Sequence, residues 1–271
     1  MRATLLHLRF PFVYVLSPIF VWGAWQSPGG WSAPTTLGFL LVHLALYPGA
    51  NAFNSAYDRD TGPIGGLARP PEVPRSLAPG STLLQASGAA LAPIVGWTFA
   101  AAYVALWGIF TAYSHPRTRW KRSPAASTAA IVLGQGGLGF LLGWSAVAEA
   151  PPDSGGALWA LLVACAGVAA MYPVTQVYQL AEDAARRDRT LAAVLGPAGV
   201  FAWAAAWFGA LALGARSLGL TGLAIYALAV AVAFLALAAL RPRWTPAHRH
   251  VMAAAYLNST MFLITIILSW A

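Results

Sequence analysis

Long apolar runs alternate with short polar stretches along the whole chain. The runs cover residues 10–26, 35–56, 80–114, 125–148, 157–180, 194–214, 217–240 and 251–270. Most hold the ~20 residues that an α-helix needs to cross ~30 Å of hydrocarbon. They are continuous and rich in Ala, Leu and Gly, whereas barrel strands alternate in polarity over about 10 residues. The pattern describes an all-α integral membrane protein, a single domain over residues 1–271 without internal repeats. In the opening MRATLLHLRFPFVYVLSP, Arg9 lies too deep for the charged region of a signal peptide and the small-residue cleavage pattern is poor. This segment is read as a retained first helix.

Hydropathy alone makes 80–114 one long helix and gives eight crossings in all. Charge argues for nine. The flanking stretches are YDRDTGPIGGLARPPEVPRSL, with Arg59, Arg69 and Arg75, and SHPRTRWKRSP, with Arg117, Arg119, Lys121 and Arg122. Basic loops collect on the cytoplasmic side. An even number of crossings must separate these two, so 80–114 is expected to be two helices broken near Pro93 or Gly96. Each then has about 17 residues, roughly 25 Å at 1.5 Å per residue, short for a full crossing. With nine crossings every Lys and Arg except Arg216 falls on the cytoplasmic side, together with the N-terminus. The expected location is a bacterial cytoplasmic membrane.

Composition sharpens this. The chain is 59% hydrophobic and only 9% charged, against about 25% charge in soluble domains. The low charge and 12 Trp exclude disorder. A single cysteine, Cys165 in LLVACAGV, excludes a disulfide framework or a Cys-rich metal site. The partners to expect are membrane lipid and membrane-soluble molecules, with no nucleic acid.

Six of the eight carboxylates fall in two clusters at cytoplasmic helix ends: Asp58, Asp60 and Glu72, and Glu182, Asp183 and Asp188. Asn54 and Asp58 are four residues apart and share a helix face, with Asn51 close to it; Gln179 and Asp183 repeat the spacing. Two helices that each offer an amide and a carboxylate can form one polar pocket in an apolar bundle. Oxygen donors without His or Cys suit Mg²⁺, which binds through a few carboxylates and substrate phosphates. Neighbouring arginines, Arg119 and Arg122 among them, and Lys121 supply donors for phosphate oxygens. Glu149 and Asp153, in EAPPDSGG, are read as solvated loop residues.

Four stretches, in order, resemble the UbiA superfamily of intramembrane prenyltransferases along most of the chain. NSAYDRD resembles the motif N-D-x-x-D-x-x-x-D, and YQLAEDAARRDRTLAAVLG resembles D-x-x-x-D followed by a basic stretch. AYSHPRTRWKRSP is similar to the Y-P/S-x-x-K-R loop, and LRFPFVYVLSP to the opening helix with its Arg and Pro. The resemblance implies nine helices around a central lipid-facing cavity, with Mg²⁺ and an isoprenyl diphosphate held by the two acidic motifs. By position Asn54 and Asp58 match the first motif and Asp183 the last Asp of the second; Lys121, Arg122 and Arg9 match diphosphate contacts. The chain departs from the pattern at Gly62, Gln179 and Arg187, so two carboxylates are missing; Asp60, Glu182 and Asp188 are near enough in sequence to compensate. GPIGGLARPP also differs, its glycines permitting tight turns or close backbone approach to phosphate.

The chemistry implied is Mg²⁺-dependent transfer of an isoprenyl group to a lipophilic or aromatic acceptor. The allylic cation formed on ionisation is stabilised by aromatic faces; Tyr57, Trp97, Tyr172 and Tyr178 are candidates, the last two preceding the second cluster on its own helix. A terpene cyclase of the same superfamily and a non-catalytic lipid-binding homologue are the alternatives; a transporter would carry its acids near the midplane.

Overall fold

The computed structural model describes residues 2–186, 188–240 and 246–270, the side chains of Arg186 and Trp270 excepted. Arg187, Arg241 and Arg243, which the sequence assigns to basic loops, lie outside the described residues. The described chain forms nine rods: α1 Arg2–Gln26, α2 Ala33–Asp58, α3 Leu77–Leu91, α4 Trp97–Ser114, α5 Pro124–Ser145, α6 Gly155–Ala185, α7 Leu191–Ser217, α8 Thr221–Ala239 and α9 His248–Trp270. All but α3 and α4 are long and apolar enough to span a membrane. The 80–114 run does divide. Its first helix passes into a 3₁₀ turn, Ala92–Ile94, at Pro93, and the second starts after Gly96. At 15 and 18 residues, these rods are roughly 22 and 27 Å long, as short as the sequence requires. α8 is the most apolar of the seven spans and the least buried. An apolar outer surface is stable only in lipid, which makes this a multi-pass membrane protein.

Proline and glycine shape the rods. α2 starts on Ser32, whose hydroxyl accepts the Thr35 N–H while the Thr35 hydroxyl accepts the Ser32 N–H, a reciprocal cap. The helix then widens into a π turn at Val42–Leu46, immediately before Pro48, which has no N–H to continue the ladder. α7 bends at Gly196 (φ 65°) before Pro197. α6 is interrupted just past Pro173, resuming through a 3₁₀ turn, Val177–Gln179, into Leu180–Arg186.

The chain folds as two compact units. The first comprises Met1–Trp120 and Leu138–Pro152. Its core is an aromatic column. Phe39, His43 and Tyr47 succeed one another on α2, with Phe39 stacked on His43 at 4.0 Å and Tyr47 edge-on to Phe110 of α4. α1 and α5 cross closely because each carries Phe-x-x-Gly. A side chain at Gly23 would meet the Phe140 carbonyl, and one at Gly143 the Phe20 carbonyl. Small residues let helix backbones approach this way in membranes.

The second unit comprises Lys121–Gly137 and Asp153–Ala271. There α7 buries Val200, Phe201, Ala204, Phe208, Leu211 and Ala215. The Trp203 indole donates to the Ala169 carbonyl of α6 (2.8 Å), and Tyr226 of α8 donates to Asn258 of α9 (3.0 Å). Asn258 therefore makes an interhelical bond, the default role of an amide within a span.

Candidate functional site

In the first unit the polar residues gather at the end of α2. The i, i+4 spacing does bring Asn54 onto Asp58: the amide donates to the carboxylate at 2.7 Å. It also donates to the hydroxyl of Ser114, the last residue of α4, at 3.2 Å. With its N–H groups so engaged, the amide oxygen of Asn54 is the atom left to face a cation. Asp58 ends its helix, since Arg59 turns left-handed (φ 50°) and closes on the Ser55 carbonyl. A carboxylate at a helix C-terminus opposes the helix dipole. A cation at this place would remove that repulsion. Asp60 comes next in the loop, beyond the helical face that carries Asn54 and Asp58.

Arg9 lies one helical turn away in this unit's network. It is buried and left-handed (φ 51°), so it breaks α1. Its Nη2 donates to the Asn51 carbonyl at 2.8 Å, and the Asn51 amide donates back to the Leu8 carbonyl. The glycine loop has a structural use: Gly65 and Gly66 pack on Phe12 with no room for a Cβ, and Gly66 has φ 76°. His7 holds the same loop through the Pro71 carbonyl at 3.1 Å. Tyr57 stands edge-on to His115, and Arg119 is left-handed (φ 41°) in the loop after α4.

In the second unit the polar residues gather where α6 gives way to α7. Asp183 accepts the Thr190 hydroxyl at 3.0 Å, and Thr190 caps α7 by accepting the Ala193 N–H. The Asp188 N–H donates to the Asp183 carbonyl at 2.9 Å. The Asp188 carboxylate, 5% exposed, accepts from Nε of Arg122 at 3.3 Å. Lys121 and Arg122 share a 3₁₀ turn, Trp120–Arg122. Glu182 and Asp183 stand in the first turn of Leu180–Arg186, where the dipole favours them. Tyr172 is buried in α6, and Tyr178 stands edge-on to His248 at 4.9 Å.

Three expectations are corrected. Gln179 and Asp183 do not share one regular helix, because Gln179 closes the 3₁₀ turn and Asp183 belongs to the helix after it. Trp97 stands at the opposite end of α4 from Ser114, 76% exposed, too far from Asn54 and Asp58 for a role beside them. Glu149 is not merely solvated: its carboxylate accepts the Trp97 and Thr98 N–H groups at 2.8 and 3.2 Å and caps α4. Ser114, Thr190 and the Arg9–Asn51 strap escaped the sequence reading. Thr190 carried a signal, a hydroxyl residue directly before an apolar run; Ser114 carried none.

The donor set fits Mg²⁺. No three His, Cys, Asp or Glu gather into a complete cage among the described residues. Asn54 with Asp58, and Glu182 with Asp183, offer oxygens only, in partial sets that leave positions for water and phosphate, as Mg²⁺ sites commonly do.

A family model, the UbiA prenyltransferase family, matches residues 15–266. The chain belongs to the UbiA prenyltransferase family. Among solved structures, the UbiA fold of this chain is similar to a UbiA homologue from Archaeoglobus fulgidus bound to DMAPP and Mg²⁺, with TM-score 0.70, 18% identity and 98% of each chain covered. The same homologue bound to GPP and Mg²⁺ gives TM-score 0.66 at 18% identity, again with 98% of each chain covered. A digeranylgeranylglyceryl phosphate synthase gives TM-score 0.65 at 14% identity, covering 98% of this chain and 97% of that one. At these identities the likeness establishes the UbiA fold. Among curated protein sequences none matches the chain.

Proposed function

We propose that this UbiA-family protein transfers an isoprenyl group from an isoprenyl diphosphate to a lipophilic or aromatic acceptor within the membrane. The observation that carries the reading is the Asn54–Asp58 pair, which presents oxygen donors at the C-terminal end of a helix, where the dipole favours a cation. Membership of a prenyltransferase family and the DMAPP-, GPP- and Mg²⁺-bound Archaeoglobus homologue support it. The family match runs through both units, which supports treating residues 1–271 as one functional domain. The distribution of basic residues supports placing the N-terminus and the site on the cytoplasmic side of a bacterial inner membrane.

In this reading Asn54, Asp58 and Asp183 are cation ligands, with Asp60, Gln179 and Glu182 contributing oxygens directly or through water. Bound Mg²⁺ would neutralise charge on the diphosphate leaving group. Arg122, Lys121 and Arg119 donate hydrogen bonds to the diphosphate oxygens, and Arg9 both donates and holds the Asn51 backbone in register. The allylic C–O bond breaks and the diphosphate leaves with the electron pair. Tyr172 and Tyr178 offer π faces to the carbocation, and the apolar surroundings keep water from it. The acceptor then adds to the cation and loses a proton.

Membranes bearing the protein, supplied with labelled geranyl diphosphate, Mg²⁺ and lipid extract, should yield a prenylated product. Asp58→Asn and Asp183→Asn should each lower the yield by about 100-fold or more, with the protein still inserted. A cyclic hydrocarbon as product would replace transfer by cyclisation. Undiminished turnover in both variants would remove the site assignment.

A further inference from the structure

We propose that Asp188 is a positioning residue that holds the Arg122 guanidinium for diphosphate binding. The inference rests on the proposed prenyl-transfer function. It starts from an asymmetry in one ion pair: the Asp188 side chain is 5% exposed, and that of Arg122 is 60% exposed. The pair is joined through Nε of Arg122. This contact engages Nε, and the side chain that carries the two Nη groups is 60% exposed. Arginine recognises phosphate through that planar fork.

Stability is a poor reason for the arrangement. A half-exposed ion pair contributes little to it, while sinking a carboxylate carries a desolvation penalty. The carboxylate is, however, well anchored. The Asp188 N–H is bound to the Asp183 carbonyl, the Asp183 carboxylate to the Thr190 hydroxyl, and Thr190 to the first turn of α7. Arg122 is thereby fixed to the rigid start of a long helix and tied to the backbone of a proposed cation ligand. A lysine at this position would lack the second edge: its single ammonium could meet Asp188 or the phosphate, but could not bridge them in fixed geometry.

The test is binding of geranyl diphosphate with Mg²⁺ to the purified full-length protein in detergent, with thermal unfolding measured in parallel. Asp188→Asn should weaken binding about 10- to 100-fold, as loss of an outer partner does at ligand-holding sites. Arg122→Gln alters an exposed side chain, leaves folding intact and should weaken binding at least as much. The double variant should bind no worse than Arg122→Gln alone, because both remove the same contact. The charge swap Asp188→Arg with Arg122→Asp separates the roles: it restores an ion pair but should not restore binding. Binding restored by the swap, or unchanged in Asp188→Asn or in Arg122→Gln, would overturn the inference alone. Wild-type protein that fails to bind the diphosphate would overturn the proposed function and this inference with it.

Discussion

The two ends of α4 use carboxylates in opposite ways. At the Trp97 end, Glu149 reaches across 52 residues of sequence to accept two N–H groups that the helix itself cannot satisfy. Its charge is favourable there, since the helix N-terminus is the positive pole. At the Ser114 end, the nearby carboxylate is Asp58, the last residue of α2, at the negative pole of its own helix. It is oriented by a side-chain amide, that of Asn54, at 2.7 Å. A carboxylate that satisfies a helix is structural. One that opposes its own helix dipole is stabilised by a cation beside it.

That contrast predicts opposite phenotypes, and the largest effect belongs to Asp58. Asp58→Asn should remove Mg²⁺-dependent turnover while leaving the unfolding temperature unchanged or slightly raised, because a dipole repulsion worth about 0.3–1 kcal/mol is relieved. Glu149→Ala should do the reverse, lowering stability by about 1 kcal/mol, as loss of a helix cap does, with turnover at permissive temperature close to wild type. Parallel assays of turnover and thermal unfolding on the two variants check this. A fall in both quantities for both residues would erase the distinction between the ends.

Much of this was visible in the sequence, and the parts that were not share a reason. The break at Pro93 and Gly96 was legible because proline and the placement of Arg59 and Arg117 each constrain it independently. Asn54 and Asp58 were legible because helical periodicity alone decides which residues share a face. Gln179 was misjudged because Pro173 interrupts α6, and the 3₁₀ turn after it shifts the helical phase of Leu180–Arg186. The partners of Glu149, Ser114 and Asp188 lie 52, 60 and 66 residues away. Periodicity along one helix carries no information about which loop meets its end.

A smaller effect tests how Glu149 is placed. Gly96 has an extended backbone that any residue adopts, so alanine brings no strain of its own. Its Cβ would, however, strike the Glu149 carboxylate, the flexible end of a side chain. Glu149 should therefore swing away and take its cap with it. Gly96→Ala should cost no more than Glu149→Ala, about 1 kcal/mol. The double variant should be no less stable than Glu149→Ala, the non-additivity expected of two changes to one contact. Additive losses in thermal unfolding would show that Gly96 serves the α3–α4 turn in another way.

The smallest effect is in pH. The Thr98 side chain and N–H, with the Trp97 N–H, hold the Glu149 carboxyl below its ordinary value of 4.5. A carboxyl with a lowered folded-state pKa stabilises the protein fully above its unfolded value, and that contribution fades as pH falls through the folded value. Glu149→Gln retains an acceptor oxygen but cannot ionise. The wild type should thus unfold at a higher temperature than Glu149→Gln at about pH 7, and the gap should close on acidification towards about pH 3. The change is limited by the solvent around this exposed residue. A gap that stayed constant across this range would mean that the amide caps α4 as well as the charge does. The N-terminal pole of the helix would then be satisfied by hydrogen bonding alone, and the opposition between the two ends of α4 would rest on Asp58.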